Sequence, residues 1–353
     1  MHRNMNRRRG LVVLVVGALS VVAAGCASPS SVGPDGSPGK VTVACGATEE
    51  WCAAMTSAFT RKTGTKATFV RLSSGEAFAR IQAGKDNPEF DVWHGGPADG
   101  YQAASDAGLL TAYESANAAS IPAKYKDPSG MWTGVYVGVL GFCSNTKVLA
   151  ERHTTAPASW KDLLDPALRR EVGIAHPSTS GTAYTALWTQ VTLAGGSADR
   201  ALDYLRRLHP NVLQYSKSGA APAQQAARGE VGVGVVFAHD CIATQEQGFK
   251  DLTVTFPSEG TGYEVGGVAL IKGAHNSESA RRYIDWALTP EAQEVGPAAK
   301  SYQTPTRPEA RVSVKSVPLT SVKLVDYDIA AAGKAKKGLA ERFNKEIAKA
   351  PKS

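Results

Sequence analysis

Hydroxyl side chains crowd around one glycine in Pro177-Ser178-Thr179-Ser180-Gly181-Thr182-Ala183-Tyr184. The segment follows a strand-like run, Val172–Ala175, and opens a helix-like one. Free backbone N–H groups collect at such a turn, and together with the hydroxyls they suit an anion. Its chemistry is capture, not bond breaking. Similar short polar turns follow other strand-like runs: Thr48-Glu49, Ser74-Gly75, His94-Gly95 and His239-Asp240. A single Ser or Thr there often does no more than cap a helix, but recurrence after successive strands points to one shared cleft. Asp240 would accept hydroxyl protons and His239 would donate to an oxygen. A carboxylate repels phosphate, so Asp240 belongs at the other end of the ligand. Glu259 and Glu264, in Ser258-Glu259-Gly260-Thr261-Gly262-Tyr263-Glu264, add acceptors. A hydroxyl-rich solute with one anionic end, such as a sugar phosphate, fits this polarity. Trp51, Trp93 and Trp132 either wall the cleft or, singly, pack a core.

The elements that must position these residues alternate. Val41–Ala44, Ala67–Val70 and Phe90–Trp93 read as strands, each followed by an amphipathic run. That order predicts parallel sheets flanked by helices, with ligands beyond the carboxyl ends of the strands. Gly134–Phe142 is too long for an ordinary strand and reads as a crossing between lobes; Gly266–Ile271 reads as the return. The expected organisation is lobe 1 at residues 41–137 and 267–315, lobe 2 at 138–266, and a C-terminal helical segment with a basic tail at 316–353. In that segment Lys337–Ile347 reads as an amphipathic helix whose lysines form a solvated face.

The ends explain the charge. Arg3, Arg7, Arg8 and Arg9 precede an apolar run, Leu11–Ala24, too short for a comfortable membrane span. Ala23-Ala24-Gly25-Cys26 resembles a bacterial lipoprotein cleavage site, although Ala23 stands where Leu is usual. It makes Cys26 the expected lipidation site, with residues 1–26 as signal and 27–40 as a flexible tether. The chain has 39 basic and 32 acidic residues, net +7. Without the four signal arginines, 35 basic residues face 32 acidic ones, or +3, much of it in the tail. The basic balance is therefore no argument for nucleic acid. Four further cysteines, Cys45, Cys52, Cys143 and Cys241, form an even set outside the cytoplasm. Of three connectivities, Cys45–Cys52 with Cys143–Cys241 is favoured. No metal-ligand spacing supports a zinc site instead, and no cofactor motif is present.

Enzyme motifs fail on context. Ser144-x-x-Lys147 and Lys62-Thr63-Gly64 occur in the order opposite to that of penicillin-binding proteins, without Ser-Asp-Asn. There is neither a Gly-x-Ser-x-Gly elbow nor a Walker loop. The turn at 178–184, Phe237-Ala238-His239-Asp240, the segment Glu259–Glu264, Ala287-Leu288-Thr289-Pro290-Glu291-Ala292-Gln293 and Val325-Asp326-Tyr327-Asp328 together resemble the extracellular solute-binding proteins of ABC importers. The likeness covers roughly residues 40–347, and is nearest to the branch with ferric-ion-, phosphonate- and hexose-phosphate-binding members. It implies an α/β, two-lobed type II periplasmic-binding-protein-like fold: two mainly parallel sheets flanked by helices, with a hinge and an interlobe cleft. It also implies a non-catalytic monomer that captures a small anionic solute and docks on permease subunits, tied to the membrane only by its lipid. Ferric-binding relatives use adjacent tyrosines, and no Tyr-Tyr pair occurs here. Polyamine binding would draw on Glu49, Glu50, Trp51 and Trp93. A phosphonate or other small organophosphate would use the same turn at 178–184, and an exported hydrolase is a more remote alternative.

Overall fold

A computed structural model describes residues 39–349. The signal segment, Cys26, most of the tether and the last four residues lie outside the described residues. The chain begins with β1 (Lys40–Cys45), α1 (Glu49–Thr63), β2 (Lys66–Arg71), α2 (Ser74–Ala83), β3 (Val92–Pro97), α3 (Ala98–Asp106) and the short β4 (Leu110–Thr111). β5 (Thr133–Asn145) leads to α4 (Thr146–Glu151), β6 (Val172–Ala175), α5 (Gly181–Leu193), α6 (Ala198–Leu208), β7 (Val212–Ser216), α7 (Ala221–Ala227), β8 (Val233–Phe237), α8 (Ala238–Gln245) and β9 (Leu252–Thr255). β10 (Tyr263–Ile271) returns to α9 (Ser277–Ala287), α10 (Pro290–Gln293) and β11 (Thr304–Pro305), and α11 (Ile329–Phe343) follows.

The strand order is β2-β1-β3-β10-β5-β8-β6-β7, with β4 on β10, and β9 and β11 on β5. β1–β2, β1–β3, β6–β7 and β6–β8 are parallel, as the strand–helix alternation requires. β5 and β10 run antiparallel to their neighbours. β5 serves both sheets. Residues from Thr133 to Val139 pair with β10, and Leu140–Ser144 pair with β8. This double duty accounts for its 13 residues, all buried.

Two main cores flank that switch. Val41, Phe59, Val92, Trp93, Val268 and Ile284 belong to one, and Leu140, Phe142, Leu163, Tyr184, Leu202 and Val233 to the other. We call the bodies around them lobe 1 and lobe 2. A smaller cluster surrounds the disulfide Cys143–Cys241, which ties β5 to α8, while Cys45–Cys52 ties β1 to α1. Trp51, Trp93 and Trp132 are packed in the first core.

Two sequence expectations change. β3 does not end at Trp93. It continues to Pro97 because β1 and β10 hold it on both sides: His94 pairs with Cys45 and Val268, and Pro97 with Gly266. At the C-terminus, α11 starts eight residues before Lys337, where Asp328 caps it by accepting from Ala331 N–H at 2.9 Å. Its Ala332, Leu339 and Phe343, and Ile347 beyond it, enter the second core. Lys337 and Lys345 are exposed as expected, whereas Lys336, just before that run, is largely buried and pairs with Asp99 of α3 at 2.6 Å.

Candidate functional site

Between the lobes lies a narrow cleft with a free volume of about 50 Å³. Its wall is made where helices begin. Thr48 precedes α1, Ser73 and Ser74 open α2, Pro97 precedes α3, and Ser180–Thr182 open α5. Gly219 and Ala220 precede α7, and Phe237, His239 and Asp240 form the entry to α8. Each of these helices follows a strand of the parallel sets, so the topology itself aims the N-termini at one volume. Helix N-termini carry partial positive charge and unsatisfied N–H groups. The cleft is therefore suited to an anion before any side chain is counted. Thr48 makes no side-chain cap. Ser180 both lines the cleft and caps α5, accepting from Ala183 N–H at 3.3 Å.

Arg71 supplies the full positive charge at this wall. Its Nε donates to the Ala47 carbonyl at 3.1 Å, while its terminal nitrogens reach Ser73 Oγ at 3.4 Å and Ser218 Oγ at 3.3 Å. These contacts fix the guanidinium across the two lobes. Sequence reading missed Arg71 because it ended the strand at Val70 and searched from Ser73 onward. β2 in fact ends on Arg71, and a cation closing an apolar strand was the available signal.

The same cleft is also lined by His239, Asp240, Glu264, Gln303 and Tyr136. Asp240 and Glu264 are 9 % and 4 % exposed. His239 Nε2 stands 3.7 Å from Asp240 Oδ1 and 3.9 Å from Glu264 Oε1, too far for hydrogen bonds. Gln303 Nε2 lies 3.3 Å from the same ring nitrogen. With Gln303 oriented so that Oε1 accepts from Ser301 Oγ, its Nε2–H donates to His239 Nε2, and the Nδ1 that then carries the neutral ring's proton is buried with no hydrogen-bond partner among the described residues. Burial pulls His239 down to about 3, so the ring is neutral. Burial pushes Asp240 up to about 7, with Arg71 acting the other way. Glu264 lies well above the usual carboxylate range, through burial first and then the charges of Asp240 and Asp99. Carboxyl groups that hold protons near neutral pH can both donate to and accept from ligand hydroxyls.

Of the residues singled out from sequence, Thr48, Ser74, Ser180, Gly181, Thr182, His239, Asp240 and Glu264 line the cleft. Glu49 faces its outer mouth, with Glu50 and Lys300. Others are placed elsewhere. Gly75 spends its N–H on the Thr179 carbonyl at 2.8 Å. Ser178 N–H donates to His176 Nδ1, and Thr179 Oγ1 donates to the carbonyls of His176 and Lys217, so both shape the turn. His94 is fully buried within β3, 3.0 Å from Tyr283 Oη and edge-on to Trp51, and burial lowers it to about 3. The Gly95 carbonyl accepts from Tyr101 Oη at 2.9 Å. Glu259 is exposed and accepts from the backbone N–H of Trp160 at 3.2 Å, which leaves it outside the cleft.

Residues 54–319 match the family model described as bacterial extracellular solute-binding protein. An uncharacterised protein of Haemophilus influenzae is 40% identical over 336 residues, covering 93% of this chain and 95% of that one. The periplasmic binding protein AfuA from Actinobacillus pleuropneumoniae, solved with exogenous fructose-6-phosphate bound, is 42% identical with a TM-score of 0.86. That comparison covers 89% of this chain and 100% of AfuA. The periplasmic binding protein P5PA is 32% identical with a TM-score of 0.83, covering 88% of this chain and 99% of P5PA. Parallel strands feeding helix N-termini into an interlobe cleft, and this extent of likeness, identify the chain as a member of the bacterial extracellular solute-binding family, a solute-binding protein of an ABC transporter.

Proposed function

We propose that the cleft captures a sugar phosphate or closely related organophosphate by lobe closure and delivers it, without turnover, to an ABC importer permease. The observation that carries this reading is the cleft's mixed lining. The N-termini of α1, α2 and α5 and the Arg71 guanidinium line one cleft together with the Asp240 and Glu264 carboxyl groups, so groups suited to a phosphate and groups suited to hydroxyls face the same volume. Charge-assisted hydrogen bonds are worth roughly 1.5–3 kcal/mol each. A micromolar affinity needs about 8 kcal/mol net, so several such bonds to phosphate, with hydroxyl contacts at the far end, suffice. The fructose-6-phosphate bound to AfuA has the same two-ended chemistry.

A phosphonate would use the same anion end. A ligand that carried an ammonium group at its other end would need ionised carboxylates there, and the upward shifts of Asp240 and Glu264 favour hydroxyls instead. Melting curves with sugar phosphates, phosphonates, ferric citrate and polyamines test the assignment. A rise in Tm with sugar phosphates supports it, and a rise with polyamines alone overturns it. The lipoprotein-like segment ending at Cys26 completes the proposal, with the protein anchored outside the cytoplasm as a monomer. Acyl-chain labelling that survives Cys26→Ala would remove that anchor.

A further inference from the structure

The lobes touch at several places, and beside the cleft two of the closest approaches are made at glycines. Gly75, the second residue of α2 in lobe 1, donates its N–H to the carbonyl of Thr179 in lobe 2 at 2.8 Å. The approach leaves no room for a side chain. A Cβ built on Gly75 would fall on the Ser178 carbonyl oxygen and lie 2.8 Å from Thr179 Cα. These are backbone atoms, which cannot rotate away. The partner turn repeats the arrangement in reverse. A Cβ on Gly181, at the start of α5, would lie 2.6 Å from Pro97 Cδ and 2.8 Å from Ser74 Oγ, both in lobe 1. Neither glycine has the positive φ that demands glycine for conformational reasons. Close approach between lobes is the remaining requirement at both places.

We propose that Gly75 and Gly181 form a closure seam. They are positioning residues that set how far the lobes close, and the Gly75–Thr179 main-chain bond seals the anion end of the cleft. Gly75 acts on affinity through closure, without itself contacting the ligand. The inference rests on capture by lobe closure and not on the identity of the solute.

Alanine at Gly75 suits the first turn of a helix better than glycine does, so the opened protein folds normally. The expected phenotype is separation of folding from closure. With fructose 6-phosphate as probe, Gly75→Ala keeps the ligand-free Tm of the wild type but loses affinity roughly tenfold or more. In small-angle scattering it fails to compact to the wild-type radius at saturating probe. Ser180→Ala also weakens binding, yet compacts fully at saturation. Wild-type affinity and wild-type compaction in Gly75→Ala would overturn the seam. If fructose 6-phosphate does not bind the wild type, the sugar-phosphate reading fails and the seam is judged separately. Dyes on exposed Asp86 and Lys250 then report the interlobe distance without ligand. The seam requires a shorter-distance population in the wild type that Gly75→Ala lacks, and identical distributions refute it.

Discussion

Lys336 Nζ lies 2.6 Å from Asp99 Oδ1, and the pair joins a helix rooted in one lobe to the first turn of a helix in the other. Tyr327 Oη donates to the second Asp99 oxygen at 2.9 Å, and the Lys336 ammonium sits 3.8 Å from the Tyr184 ring centroid. Asp99 is 1 % exposed, so each charge depends on the other. Asp99→Ala or Lys336→Ala should cost about 3–5 kcal/mol in urea unfolding, because either leaves one buried charge uncompensated. The double change Asp99→Leu with Lys336→Met should recover most of that loss. Equal instability of the single and double variants would contradict the buried-pair account.

Arg71→Gln should weaken fructose 6-phosphate binding by 10–100-fold, following from the ~1.5–3 kcal/mol of a charge-assisted hydrogen bond. Glutamine keeps polar reach toward Ala47 and Ser218, so the ligand-free melt should change little. Titration calorimetry checks this, and retention of wild-type affinity would remove Arg71 from the anion end.

Ser180→Ala combined with Thr182→Ala should weaken binding of phosphate-bearing ligands selectively. Part of any stability loss belongs to Ser180 alone, since its hydroxyl caps α5; removing an N-cap costs about 1 kcal/mol. Unchanged affinity in a folded double variant would exclude both hydroxyls from the site.

The pH response separates two buried groups of the cleft, Asp240 and His239. Asp240 titrates near 7 when folded and from 3.8 when free. The folded state thus binds the extra proton, and stability falls as pH rises between those values. His239 acts oppositely: its folded value near 3 means that stability falls as pH drops below 6.5. Asp240→Asn removes only the first effect. The variant should therefore gain on the wild type as pH climbs from 4 to 7, by at most about 4 kcal/mol. Denaturant melts at pH 4, 5.5, 7 and 8 measure it, and a constant difference would show that Asp240 is not buried as a neutral acid.

Much of this was legible in the sequence because local pattern and topology agree. Alternating strand and helix runs specify parallel pairing, and parallel pairing sends the turns after strands to a common side. The length of Gly134–Phe142 reflected the double pairing of β5. What was not legible depended on partners distant in sequence. His94 read as a loop residue because nothing local shows β1 and β10 closing around β3. Gly75 read as a ligand contact because its partner, the Thr179 carbonyl, is a hundred residues away in the other lobe. Glu259 read as an acceptor for solute because the Trp160 backbone that occupies it cannot be seen from its own segment. Lys336 was passed over because its helix alone does not reveal Asp99.

The disulfides should differ in weight. Cys143 and Cys241 are separated by 98 residues and Cys45 and Cys52 by 7. On loop-closure entropy the long link is worth about 4–5 kcal/mol and the short one less. It also holds α8, and with it His239 and Asp240, against β5. Cys143→Ser with Cys241→Ser should lower both Tm and ligand affinity, whereas Cys45→Ser with Cys52→Ser should chiefly lower Tm. The reverse ranking would contradict this assignment.

The central claim is that one end of the cleft selects a phosphate group and the other a hydroxylated body. Calorimetric titration of fructose 6-phosphate, fructose and inorganic phosphate into the wild-type protein tests it most directly. The account predicts saturable one-to-one binding of the sugar phosphate, at least tenfold weaker binding of phosphate, and negligible binding of fructose. Fructose binding as tightly as its phosphate ester would contradict it.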